Sequence, residues 1–201
     1  MIAILIHGFN VWDGGRRTVG KLKPYFEEQG IPCVMIRYGW FGIGSTYLKN
    51  WKVAKRVSEA CDVASLAGSE VIVVGHSNGC AIAHRAASVH GTKIKKMVYI
   101  NPALEKDAEL PRSVEALDVW YSPSDKPVKW SKWLPLHPWG EMGATGYKGP
   151  LDPRVNSFNK ESDFALSSKT HSDVFGWFLI RYFGSLIARV AVGGLALRGL
   201  K

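Results

Sequence analysis

The sequence has few cysteines and no pairing pattern among them. Cys33, Cys61 and Cys80 are its three cysteines, unevenly spaced and without a Cys-x-x-Cys motif. This spacing indicates neither a disulfide framework nor a zinc site. We therefore expect no metal site and expect the three thiols to pack as small apolar side chains.

Long uninterrupted apolar runs are also missing. The apolar C-terminal stretch is broken by Arg181 and Arg189, so we predict no membrane-spanning helix. The first residues lack the basic lead of a signal peptide, and the apolar run Ile2–Ile6 is too short for its apolar core. From these two patterns we expect a cytoplasmic protein.

Acidic residues are outnumbered by basic ones. The chain has 26 Lys and Arg against 17 Asp and Glu, a formal net charge of +9. Such an excess suits an anionic partner, such as nucleic acid, a membrane surface or an acidic substrate, or it serves solubility alone. The basic residues are dispersed without an arginine-rich block, so we expect no nucleic-acid partner. A peripheral contact with an anionic membrane surface stays open.

The alternation of short apolar runs with helical patterns defines the fold class. With 201 residues, 46% of them hydrophobic, the chain is expected to form a single domain over 1–201. We predict a mostly parallel α/β sheet with helices on both faces. The predicted strands are Ile2–Ile6, 33–37, 71–74, 97–100, 114–121 and a last one near 154–158, and the predicted helices are 19–26, Thr46–Leu66, 80–89 and 174–197. The segment 126–153 is predicted to be a long loop near the mouth of the site.

The stretch around Ser77 carries the strongest chemical signal. Four β-branched residues, 71–74, lead directly into Gly75-His76-Ser77-Asn78-Gly79, and a small-residue helix follows. This setting predicts a nucleophile elbow, in which a tight turn between a strand and a helix exposes the serine hydroxyl. The two glycines remove side chains where the strand and the helix cross closely.

A serine nucleophile needs an imidazole and a carboxylate, which should follow it in the order Ser, acid, His. Asp125 lies in a turn after the strand predicted at 114–121, so it is the predicted acid. The alternatives are Asp118, which would lie inside that strand, and three residues without a strand-end position, Asp107, Asp152 and Asp163. A role as a turn former or helix cap is the other interpretation of Asp125.

The predicted base is His171, which lies between the last candidate strand and the apolar C-terminal helix. Its competitor is His137, flanked by prolines in the segment predicted to be a loop. His84 and His90 would lie on the helix behind the elbow. His7 and His76 are expected to have structural roles. This order of residues predicts a Ser77, Asp125 and His171 triad.

Attack on a carbonyl also needs two N–H groups that stabilise the developing oxyanion. The elbow supplies the backbone N–H of Asn78. The second is expected from Phe9, in the turn after the first strand, where Gly8 permits close approach.

Aromatic residues crowd the expected mouth of the site. Trp12, Tyr38, Trp40 and Phe41 are candidates to line a substrate pocket. The alternative interpretation is that these large side chains cover the edge of the sheet. The lysines and tryptophans in 126–133 also fit docking to an anionic surface.

Together these motifs resemble the α/β-hydrolase family, in particular its small serine esterases and lipases without a cap domain. The likeness implies the family fold with about six strands, since the opening strand here corresponds to the family's third. It further implies hydrolysis of a small-molecule carboxylic ester through an acyl-serine, without a cofactor. Thioesters and amides, or a non-catalytic module that binds a membrane or nucleic acid, are the alternatives. The resemblance rests on His7-Gly8-Phe9-Asn10, the motif around Ser77, Asn101-Pro102-Ala103, Asp125 and His171.

Overall fold

Six parallel strands form a single sheet in the computed structural model, which describes residues 1–40, 42–131 and 139–193. The strand order is β2-β1-β3-β4-β5-β6, and every neighbouring pair is parallel. This confirms the predicted fold class. The strands are β1 (Ile2–Ile6), β2 (Cys33–Ile36), β3 (Val71–His76), β4 (Lys96–Ile100), β5 (Leu117–Tyr121) and β6 (Val155–Asn159).

Helices cover both faces of this sheet. They are α1 (Lys23–Glu27), α2 (Thr46–Leu66), α3 (Asn78–His90), α4 (Lys126–Ser131), α5 (Met142–Thr145) and α6 (Leu179–Ala191). Short 3₁₀ turns at Val19–Leu22, Ile43–Ser45 and Asp173–Phe175 precede α1, α2 and α6.

The largest differences from the sequence predictions lie in three segments. The segment 126–153 is not wholly a loop, because it contains α4 and α5. Helix α4 begins directly after Asp125, whose carboxylate oxygen accepts a hydrogen bond from the N–H of Val128 and caps the helix. Strand β5 begins at Leu117 rather than Val114, which forms only an isolated bridge with Ile94. The C-terminal helix begins at Leu179, and the last predicted helical residues, 194–197, lie outside the described residues.

The core has two layers because strand side chains alternate between the two sheet faces. Ile4 and Val73 face the cluster that includes α2 and α3. Leu5 and Val74 face the cluster that includes α6. Both sets are almost completely buried, which explains the continuous apolar composition of the central strands.

The cysteines behave as apolar packing groups. Cys61 and Cys80 are buried, Cys33 is partly buried, and none forms a disulfide. Burial raises the pKa of Cys33 to about 11 and that of Cys61 to about 12, so both thiols stay protonated at neutral pH.

All six strands end at the same edge of the sheet, which we call the carboxyl edge. Helix α2 connects β2 to the parallel strand β3, so its first turn lies at this edge. Helix α6 also begins here: Phe175 contacts His76 at the end of β3, whereas the carbonyl of Val190 accepts a hydrogen bond from Lys96 at the start of β4. Of the helices described, none is long and apolar enough to cross a bilayer.

Candidate active site

Ser77 occupies the turn between β3 and α3 in a backbone conformation that non-glycine residues rarely adopt. Its φ is 54° and its ψ is −122°. Such a conformation costs on the order of 1–3 kcal/mol and persists only where surrounding contacts impose it. Here the N–H of Ser77 donates to Ile100 at 3.0 Å, and its carbonyl accepts from the N–H of Cys80 at 3.0 Å and of Ala103 at 3.3 Å. The turn therefore has the strained geometry of a nucleophile elbow.

Two glycines make this crossing possible. A Cβ on Gly79 would lie 2.3 Å from the carbonyl oxygen of Ile6, and one on Gly75 would lie 2.7 Å from the backbone nitrogen of Cys80. Neither position has room for a side chain. The structure thus gives the physical reason for the two glycines of the sequence motif.

Asp125 and His171 form a hydrogen-bonded pair beside this elbow. His171 Nδ1 donates to Asp125 Oδ2 at 2.8 Å, and the aspartate side chain is fully buried. The same Oδ2 accepts a hydrogen bond from Asn101 Nδ2 at 2.6 Å, while Oδ1 accepts one from the N–H of Val128 at 3.1 Å. Because three donors from separate elements converge on it, the carboxylate is fixed in place and satisfied.

His171 is anchored to the residue that precedes Ser77. His76 Nε2 donates to the carbonyl oxygen of His171 at 3.0 Å, and the two rings lie 4.9 Å apart. Burial lowers the pKa of His76 well below its usual value, so its ring is neutral at neutral pH. A neutral ring with its proton on Nε2 supplies this hydrogen bond without bringing a positive charge next to His171. His76 thus has a structural role, as the sequence predicts.

The turn after β1 approaches the elbow closely. A Cβ on Gly8 would lie 3.2 Å from the Cβ of Ser77. The Tyr38 hydroxyl lies 2.7 Å from the carbonyl oxygens of both His7 and Gly8, and the His7 and Tyr38 rings stack at 4.0 Å. Tyr38 thus fixes the turn that leads into Phe9.

A buried polar network holds Asn78. Its side-chain amide pairs with that of Asn50 on α2 through two hydrogen bonds of 2.9 Å and 3.0 Å. Trp139 Nε1 donates to Asn78 Oδ1 at 2.7 Å, and the Trp139 ring packs edge-on against Phe9 at 5.0 Å. One tryptophan therefore connects the two backbone positions predicted to bind an oxyanion. Sequence reasoning missed Asn50, which no local motif marks.

The comparisons with known proteins agree with this architecture. A model of the α/β-hydrolase fold family matches residues 4–135. The chain belongs to the α/β-hydrolase family. A search of curated proteins finds no significant match.

Solved structures show the same α/β-hydrolase fold at low sequence identity. An esterase from Pyrococcus furiosus has a TM-score of 0.61 and 12% identity, over 94% of this chain and 79% of that chain. The mouse α/β-hydrolase domain-containing protein 10 has a TM-score of 0.59 and 14% identity, over 96% and 90%. A Paleococcus ferrophilus monoacylglycerol lipase has a TM-score of 0.54 and 16% identity, over 96% and 95%. At such identities the likeness concerns the fold.

Three of the four other candidate acids of this α/β-hydrolase have partners of their own. Asp118 forms an ion pair with Lys96 at 2.8 Å inside β5. Asp152 pairs with Arg154 at 2.6 Å, and Asp163 accepts a hydrogen bond from the N–H of Asn159 at 2.7 Å. None of these carboxylates contacts His171 among the described contacts. The competing base, His137, lies outside the described residues.

Two residues after β6 connect the loops that carry Asp125 and His171. Glu161 accepts hydrogen bonds from the Ser122 hydroxyl at 2.5 Å and from the N–H of Ser124 at 2.6 Å, in the turn before Asp125. Lys160 is fully buried, and its ammonium donates to the Ser168 hydroxyl at 3.2 Å, in the loop before His171. Sequence reasoning missed both residues.

Opposite charges surround this connection. Ser168 donates in turn to Asp173, which also accepts hydrogen bonds from the N–H groups of Lys169 and Thr170. Burial lowers the pKa of Lys160 to about 8, although the carboxylates of Asp173, Asp125 and Glu161 oppose this shift. The loop before His171 is therefore ordered around one buried lysine and one aspartate.

Glu161→Gln is expected to loosen the turn that carries Asp125. Burial opposes ionisation of Glu161, but hydrogen bonds from Ser122 and Ser124 outweigh it and lower the pKa of the carboxyl below 4.5. A lowered folded-state pKa means that the stabilisation is present above the unfolded pKa and is lost as pH falls through the folded pKa. We expect a neutral-pH loss of about 1–2 kcal/mol in the free energy of unfolding, measured by urea denaturation, that shrinks on acidification.

The matched control is Glu59→Gln, because Glu59 is exposed and lies 3.9 Å from Lys55 on α2. This variant should change the free energy of unfolding by less than about 0.5 kcal/mol. Equal stability of the two variants at neutral pH would contradict the role given to Glu161.

The four candidate pocket aromatics are placed differently from one another. Tyr38 is part of the turn after β1, and its hydroxyl is engaged by backbone carbonyls. Trp12 and Trp40 are exposed and stack on each other with ring centroids 6.1 Å apart. Phe41 lies outside the described residues. The exposed pair therefore lies on the surface beside the site.

Proposed function

We propose that this α/β-hydrolase cleaves carboxylic esters through an acyl-serine intermediate. Ser77 is the nucleophile, His171 the general base and then the general acid, and Asp125 the orienting carboxylate. The single observation that carries the proposal is the 2.8 Å hydrogen bond between His171 Nδ1 and Asp125, beside a serine in a strained elbow. The fold alone would also suit a non-catalytic protein.

The pairing of His171 with Asp125 sets the first step. With its proton fixed on Nδ1, the neutral ring presents a lone pair on Nε2, which accepts the proton of Ser77 as Oγ attacks the ester carbonyl. The buried carboxylate stabilises the imidazolium that forms. The tetrahedral intermediate collapses by breaking the carbon–oxygen bond to the alcohol, which takes the proton from Nε2. Water repeats the cycle in the second half and releases the carboxylic acid.

The oxyanion of each tetrahedral intermediate is stabilised by the backbone N–H groups of Phe9 and Asn78. Asn78 is the first residue of α3, so its N–H lies at the positive end of the helix dipole. Such a donor lowers the barrier by about 3 kcal/mol when it is preorganised. The contacts of Tyr38, Asn50 and Trp139 support this preorganisation because they fix both turns before substrate binds.

A screen with p-nitrophenyl esters of increasing acyl length tests the reaction class, with matched thioesters and anilides of the same acids. We expect the esters to be hydrolysed with a larger kcat/KM than the anilides, because p-nitrophenol is a better leaving group than an amine. Faster turnover of thioesters or anilides would reassign the substrate. Turnover of none of the three series would overturn the proposal.

A further inference from the structure

Exposed aromatic side chains gather at the carboxyl edge of the molecule. We call six of them the aromatic face, and between 53% and 85% of each is exposed. Soluble domains seldom expose so many large apolar side chains close together. The aromatic face consists of Trp12, Trp40, Tyr47, Trp130, Trp177 and Phe178.

The topology places all six residues at this one edge. Trp12 and Trp40 lie in the segments after β1 and β2, and Tyr47 lies in the first turn of α2. Trp130 follows β5 on α4, and Trp177 follows Phe175, whose ring lies 4.9 Å from that of His76. Since the edge from β2 to β5 includes four strand spacings, the aromatic face extends over about 19 Å.

The opposite edge has a different character. Its large exposed apolar side chains include Val63 and Leu66 at the end of α2, and Val89 at the end of α3. These are scattered aliphatic residues, and isolated exposed aliphatic side chains are common on protein surfaces. The aromatic enrichment is therefore a property of the edge that contains Ser77.

Positive charge accompanies the aromatic face. The segment 37–52 contains Arg37, Lys49 and Lys52 and no acidic residue. The guanidinium of Arg85 lies 4.5 Å from the centre of the Tyr47 ring, and that of Arg181 lies 5.3 Å from the centre of the Trp177 ring. Rings and cations thus point to the same side, a combination suited to the interface between lipid headgroups and acyl chains.

We propose that the aromatic face docks on an anionic phospholipid bilayer and holds the carboxyl edge, where Ser77 lies, against the membrane surface. The charge complementarity of the 37–52 segment selects anionic headgroups, and the tryptophans enter the interfacial layer. The exposed Ile43 and Leu48 favour lipid over nucleic acid, because aliphatic side chains do not stack on bases. This proposal concerns binding and does not depend on the proposed hydrolysis.

Sedimentation with vesicles tests the docking. The wild-type protein is mixed with vesicles of ether-linked phosphatidylcholine, or of an equimolar mixture with ether-linked phosphatidylglycerol; neither lipid has a carboxylic ester. We expect binding to the anionic vesicles that weakens as salt is raised, and little binding to phosphatidylcholine alone. Trp40→Ser combined with Trp177→Ser, and Lys49→Glu combined with Lys52→Glu, should each weaken binding about tenfold or more.

Matched variants at the opposite edge serve as controls. Leu66→Ser removes an apolar side chain that is 89% exposed, and Lys93→Glu reverses an exposed charge after α3. Both should bind the anionic vesicles within about twofold of wild type. The proposal is overturned if the wild type does not sediment, if the controls lose as much binding as the face variants, or if the protein binds single-stranded DNA but no vesicles. If the protein hydrolyses esters but does not bind vesicles, the docking proposal fails and the proposed function stands.

Discussion

Ser77→Ala is expected to abolish ester hydrolysis while the protein stays folded. The variant removes the hydroxyl that we propose forms the acyl intermediate, and loss of such a nucleophile lowers kcat by on the order of 10⁵–10⁶-fold. Stability should change little, because alanine at this position meets the same backbone strain and no helix-capping hydrogen bond of the side chain is lost. The measurements are kcat for the best ester of the screen and the thermal midpoint Tm.

The matched control is Ser88→Ala on the same helix, whose hydroxyl is exposed and donates to the carbonyl of His84 at 2.8 Å. It should keep kcat within about twofold of wild type, because its side chain lies outside the site and surface substitutions have small effects. A Ser77→Ala protein that hydrolyses esters at more than a hundredth of the wild-type rate would disprove the assignment of the nucleophile. Its loss of activity would then be far smaller than the expected loss of about 10⁵-fold.

Asp125→Asn has the second largest expected effect. The asparagine is nearly isosteric, but its amide can donate to His171 Nδ1 and so favours the tautomer that carries its proton on Nε2. That tautomer cannot accept a proton from Ser77. In a Ser-His-Asp triad this change lowers kcat by about 10⁴-fold while the geometry stays intact. We expect a loss of that order in kcat and a much smaller change in KM.

Asp118→Asn is the control, because it also removes a buried carboxylate, from the strand β5 that precedes Asp125. Asp118 is fully buried on β5 and paired with Lys96, away from His171. This variant should lower the Tm, because it leaves the ammonium of Lys96 without its counter-charge, yet preserve kcat per folded molecule. Parallel losses of kcat in the two variants would indicate that Asp125 acts only through stability.

Much of the site was predictable because its motifs are local or ordered along the chain. The elbow is contained in five consecutive residues, and its apolar strand precedes it directly. Asp125 and His171 could be predicted since the carboxyl ends of parallel strands meet at one edge, where later loops supply the acid and the base. Asn101, which donates to Asp125, has the same signal, a polar residue directly after a buried strand.

Other parts of the site depend on contacts that no sequence spacing displays. Asn50 and Asn78 are 28 positions apart, and Ser122 and Glu161 are 39 apart. A buried lysine such as Lys160 is also unexpected from composition, because lysine is rarely buried without partners. Helix α4 was missed, although helix capping was one interpretation of Asp125, because the prolines and glycines of 126–153 favoured a loop over the whole segment.

Labelling with a fluorophosphonate tests the central claim most directly, because this reagent reacts with a serine only when an adjacent base activates it. Peptide mass spectrometry of the wild-type protein should find one adduct, on Ser77, formed in proportion to the loss of esterase activity. The Asp125→Asn protein should react far more slowly, and the Ser77→Ala protein should not react. An unlabelled but folded wild-type protein, or an adduct on another serine, would contradict the account.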